Sequence, residues 1–155
     1  MRSRRLGALA LALTLGGCGA TSTAHRTPAA GAVPLVPGSK IVEQTRRCDQ
    51  GSNAFCAVDL VVVNPASYDS DDLALDESVI LRQAGWSLAD GDTGLQSAAN
   101  SPGHKLRVTF APAMDDLRSI DLGTINRPWP ITYALANSMF NRAAAMSMRL
   151  EVGAS

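Results

Sequence analysis

The sequence predicts an α+β domain, a small antiparallel sheet of about four strands with two main helices packed on one face. Three observations predict it. Residues 57–63 are a β-branched-rich block, with Val58, Leu60, Val61, Val62 and Val63 ahead of Asn64-Pro65. Residues 71–84 carry both start and stop signals of a helix. Near the C-terminus, Ile131, Leu135, Met139, Ala143, Met146 and Leu150 recur three or four apart, as along one face of a helix.

At the N-terminus, Arg2, Arg4 and Arg5 precede an uncharged run over 6–15, the order of charged then apolar segments in a signal peptide. A membrane-crossing helix needs about 20 apolar residues. This run is too short for that, so 1–17 reads as a segment to be removed. The residues Leu15-Gly16-Gly17-Cys18 resemble the lipobox of bacterial lipoproteins. That resemblance implies cleavage before Cys18, a diacylglyceryl group on its thiol, and acyl chains such as palmitate. Two or three chains hold a protein stably where one gives only marginal binding. The implied location is the extracytoplasmic face of the cell membrane. Taken with the tether and domain that follow, the chain is similar to small exported lipoproteins of actinobacterial type, a group of unassigned function.

Residues 18–39 then form the lipidated Cys and an Ala/Thr/Pro-rich tether, expected to be disordered because it has too little apolar surface to offset its ordering entropy. Residues 40–151 make one α+β domain, and 152–155 a tail. Removing three arginines with the signal leaves 11 basic against 14 acidic side chains, a net charge of −3. With no basic stripe and few stacking aromatics, nucleic acid is not an expected partner.

Within the domain, 40–46 alternates as a strand, and Cys48 and Cys56 flank a turn rich in Gly51, Ser52 and Asn53. In an oxidising compartment such a pair forms a disulfide, so 40–63 reads as a stapled hairpin. Asp59 interrupts the second strand and is assigned to the wetter side of the sheet. Next comes the helix over 71–84. Ser70 is its candidate cap, Asp71 and Asp72 suit its positive end, and Gly85 suits a left-handed C-cap. Leu73, Val79, Ile80 and Ala84 form its apolar face, with Asp76 and Glu77 among the solvated acids, and Trp86 folds back into the core. Residues 86–89 read as a short strand, 96–104 as a polar loop, 106–111 as a half-buried strand, and 114–120 as a short helix or covered loop. Pro128-Trp129-Pro130 starts the last helix, over 131–150. Met146, Met148, Leu150 and Val152 also alternate as a strand would, but the alanine-rich composition favours helix.

Ionisable and hydroxyl side chains concentrate around 90–104, where Asp90, Asp92, Ser101 and His104 outline a candidate ligand-binding loop. Two carboxylates are a thin set for calcium, and His104 is the only histidine of 40–151, so no metal site or cofactor is expected. No Gly-x-Ser-x-Gly elbow accompanies Ser97 or Ser101. The resulting expectation is a non-catalytic, membrane-anchored envelope lipoprotein. Its partners are the membrane, through the lipid on Cys18, and an envelope protein or small ligand. The alternative is an exported hydrolase or divalent-ion-binding protein built on 90–104.

Overall fold

The computed structural model describes residues 27–48, 55–89, 96–114 and 127–152. Its strands are β1 (Lys40–Cys48), β2 (Cys56–Asn64), β3 (Ser87–Leu88), β4 (Ser97–Asn100), β5 (Leu106–Pro112) and β6 (Ala144–Val152). They form one antiparallel sheet in the order β1-β2-β6-β5-β4-β3. Two helices complete the α+β fold, α1 (Ser70–Gln83) and α2 (Trp129–Phe140). The sheet therefore has six strands where about four were expected, the additions being β4 and β6. Neither helix is long and apolar enough to cross a membrane.

Side chains alternate across a strand, and that alternation sorts the core into two layers. Val58, Leu60 and Val62 of β2, with Met146, Met148 and Leu150 of β6 and Val108 and Phe110 of β5, pack with Leu73, Ala74 and Leu81 of α1. The intervening residues Val61 and Ala145 pack instead with Ile131 and Leu135 of α2. The helices thus lie on opposite faces of the sheet, not on one. The reason is that β2 is apolar at odd and even positions alike, so both of its faces require cover.

Local chemistry accounts for the ends of α1. Asp69, rather than Ser70, is the N-cap, its Oδ1 accepting the Asp72 N–H at 2.8 Å. The Ser70 hydroxyl accepts instead from the N–H of Ala145, tying the helix start to β6. At the other end Gly85 is left-handed (φ 81°), and the Trp86 N–H bonds the Leu81 carbonyl in a Schellman-type closure. Trp86 is buried in the α1-side core. Glu77, expected among the solvated acids, is fully buried, whereas Val79, expected on the apolar face, is 43% exposed.

Two boundaries differ from expectation. The C-terminal helix ends at Phe140, and 144–152 is strand, because Arg142 adopts a left-handed conformation (φ 54°) and the Ala143 N–H turns back to the Ser138 carbonyl. Upstream, part of the expected tether is packed. Val33 is buried in the core, Leu35 and Val36 lie against it, and the Asn64 amide donates to the Pro37 carbonyl and the Ser39 hydroxyl.

Candidate functional site

Cys48 and Cys56 face each other across β1 and β2 and are joined by a disulfide. Beside this staple, at the end of the hairpin, lies a cleft of about 470 Å³. Arg47, Arg149, Glu151, Phe55 and the disulfide line it. Its charged residues follow from the register. Arg47 of β1, Ala57 of β2, Glu151 of β6 and Arg107 of β5 lie in one row across the sheet. The adjacent row is Thr45, Asp59, Arg149 and Thr109. Directly paired residues of antiparallel strands project to the same face. Both rows lie on the face that bears α2, where β2 and β6 change from apolar to polar.

Asp59, assigned from sequence to a wet surface, is completely buried. Its Oδ2 accepts from Arg47 Nε at 3.1 Å and its Oδ1 from Arg127 Nη1 at 3.4 Å. The Arg127 side chain is only 3% exposed. A carboxylate can remain charged in such a place only where partners replace its lost hydration. Arg149 Nε donates to Glu151 Oε1 at 2.8 Å, at the more exposed rim. Behind them, the buried Ser147 hydroxyl has no hydrogen-bond partner among the described residues.

A second buried carboxylate sits on the other face. Glu77 Oε2 accepts the Val36 N–H at 3.0 Å, and Oε1 has no hydrogen-bond partner among the described residues. Burial raises its pKa to about 7, and the Val36 hydrogen bond opposes that rise.

The residues singled out from sequence are placed differently. Cys18, Asp90 and Asp92 lie outside the described residues, as do the turn at 49–54 and most of 114–120. Ser101 and His104 come together in the β4–β5 turn. The Ser101 hydroxyl accepts the Leu106 N–H at 2.9 Å, and the Ser101 carbonyl accepts the His104 N–H. Exposed His104 has φ 54°. Ala89, the last described residue before Asp90, bonds to the Ala98 carbonyl. The anchor points of the 90–104 region thus lie at different ends of β4. The described residues contain no cluster of three or more His, Cys, Asp and Glu able to hold a metal ion.

Sequence reasoning missed the arginine cleft because Arg47 and Phe55 are far in the chain from Arg149 and Glu151 and meet them only through the β1–β2 and β2–β6 pairings. The one available signal was Asp59 inside an otherwise apolar strand, which required a cationic partner if buried. No family model, curated protein or solved structure matches the chain.

Proposed function

We propose that this protein is a lipid-anchored lipoprotein of the extracytoplasmic membrane face, whose domain binds a partner and does not catalyse a reaction. The observation that carries the binding assignment is the cleft beside the Cys48–Cys56 disulfide. Guanidinium groups keep their charge across the physiological range and present planar arrays of donors, which suits them to recognition more than to proton transfer. Its apolar lining, Phe55 and the disulfide, adds contact surface. Support for export comes from the cysteines, since disulfides persist in oxidising compartments, and support for the anchor comes from the Leu15-Gly16-Gly17-Cys18 motif.

The test is radiolabelled-lipid incorporation and detergent phase partitioning of the wild type and Cys18→Ala in a bacterium that processes lipoproteins. Labelled, membrane-bound wild type beside unlabelled, soluble mutant is the expected result. Soluble and unlabelled protein in both cases would overturn the anchor.

A further inference from the structure

We propose that residues 30–39 form a strap that closes over α1 through Glu77 and lifts away, pivoting at Gly38, when Glu77 ionises. The inference goes beyond the binding role proposed above and rests neither on it nor on the lipid anchor.

The strap is fastened at few points. No residue of 30–39 belongs to a strand, so no ladder of backbone hydrogen bonds ties it to the sheet. Among the described residues, the Val36 N–H donates to Glu77 Oε2 at 3.0 Å, and the Asn64 amide donates to the Pro37 carbonyl and the Ser39 hydroxyl. Val33, Leu35 and Val36 supply the apolar contacts. Gly38, left-handed at φ 86°, stands between this packed stretch and β1. Glycine changes backbone conformation there without steric penalty, as a hinge requires. Segments held in this way open locally at lower free energy than the whole domain unfolds.

Glu77 is the contact that pH can release. It is fully buried, Oε2 has the single donor Val36, and Oε1 has no hydrogen-bond partner among the described residues. A carboxylate keeps its charge in such a place only with several donors or a cation against it. The elements packed around it supply neither. The strap carries no ionisable side chain, and the residues that β2, β5 and β6 present to α1 are uncharged. On β1 the register puts Arg46 on this face, opposite Val58, but its Nη2 rests on Cys56 Sγ at the disulfide end, while Lys40 pairs with Val63 of the other face. Asp71, Asp72, Asp76 and Arg82 of α1 are exposed, as are His104 and Lys105 in the turn whose Pro102 lies beside Gly85. Neutral Glu77 is therefore compatible with the closed strap, whereas its ionised form requires water. Lifting the strap removes Val36 and admits that water. Burial raises the Glu77 pKa to about 7, so the closed form holds a proton over a range in which the open form has lost it, and opening increases as pH rises through that range. Lifting turns the docked segment into about 30 Å of free chain, so the span between the domain and the N-terminal residues depends on pH.

The experiment is amide hydrogen exchange of the full-length chain carrying Cys18→Ala, so that lipidation plays no part. It is read by NMR at pH 5 and pH 8 in low concentrations of urea, with correction for the pH dependence of unprotected amides. The opening constant at the Val36 N–H is expected to rise roughly 50-fold from pH 5 to pH 8. It is expected to depend only weakly on urea, because a local opening exposes little surface. Amides of β2 and β6 are expected to exchange more slowly at both pH values and with a strong urea dependence. Glu77→Gln keeps an oxygen to accept the Val36 N–H and is uncharged at either pH, so its strap is expected to open equally at both. The proposal is overturned if the Val36 opening does not change with pH, if it shares the rate and urea dependence of β6, or if Glu77→Gln retains the pH dependence. Should Glu77→Gln not fold, the first two readings on the chain with native Glu77 decide.

Discussion

Glu77 shows how one residue can govern the stability of a small domain. In the unfolded chain its carboxyl titrates near 4.5, whereas in the fold burial lifts it to about 7. Between those values the native state holds a proton that the unfolded chain has lost, so stability falls as pH rises through this window. The shift corresponds to roughly 3 kcal/mol, present in full below the unfolded pKa and lost above about pH 7. Denaturant unfolding at pH 5 and pH 8 is expected to show this loss, and Glu77→Gln to abolish most of it. Equal pH dependence in both proteins would show that other groups control it. From sequence, the residue was indistinguishable from its neighbours Asp71, Asp72 and Asp76. Only the packing of Val36 over α1 places it in the dry layer. The same holds for Asp59, whose partners lie 12 positions before it and 68 after it.

At the scale of elements, local signals were accurate where the structure they specify is local. The stapled β1–β2 hairpin, α1 with its glycine stop at Gly85 and the β5 strand all formed as their patterns required, although α1 is capped by Asp69 and not by the expected Ser70. On the chain-entropy model, the eight-residue crosslink of the hairpin contributes about 2.5 kcal/mol. The double variant Cys48→Ser/Cys56→Ser is therefore expected to lose about 2–3 kcal/mol, read as a lower denaturant midpoint. Reduction of the wild type should reproduce the loss and leave the double variant unchanged. The α2–β6 boundary was not legible, because the turn uses Asn141-Arg142 in place of a glycine stop signal. Alternating Met146, Met148 and Leu150 then supplied a period-2 pattern in a segment whose alanines favour helix. Pairing on both sides, with β2 and β5, outweighed that propensity.

The molecule as a whole is a sheet covered on each face by a helix, closed by its last strand. β6 enters the middle of the sheet and joins the N-terminal β1–β2 hairpin to the β3–β4–β5 meander. The long edge strand β1 carries a bulge between Ile41 and Glu43 and the charges of Lys40, Glu43, Arg46 and Arg47, while the opposite edge is only two residues long. Both features discourage edge-to-edge pairing. The packed N-terminal segment makes the folding unit longer than 40–151. A chain beginning at residue 40 loses buried Val33 and the Val36 partner of Glu77. It is expected to be less stable than one beginning at residue 27 by roughly 2–4 kcal/mol, measured by thermal or denaturant unfolding. Equal stability would show that the segment rests on the domain without supporting it. The amino-acid sequence by itself determined the α+β class, the disulfide-stapled hairpin and the capped first helix. Each depends on side chains within a few residues of one another, whose preferences act before any tertiary contact forms. Only the tertiary structure decided that the helices take opposite faces, that 144–152 is a central strand, and that Arg47 and Arg127 converge on the buried Asp59. Those outcomes depend on which strands pair and in what register, and that choice minimises exposed apolar area and unpaired backbone over the entire chain, beyond the reach of any local pattern.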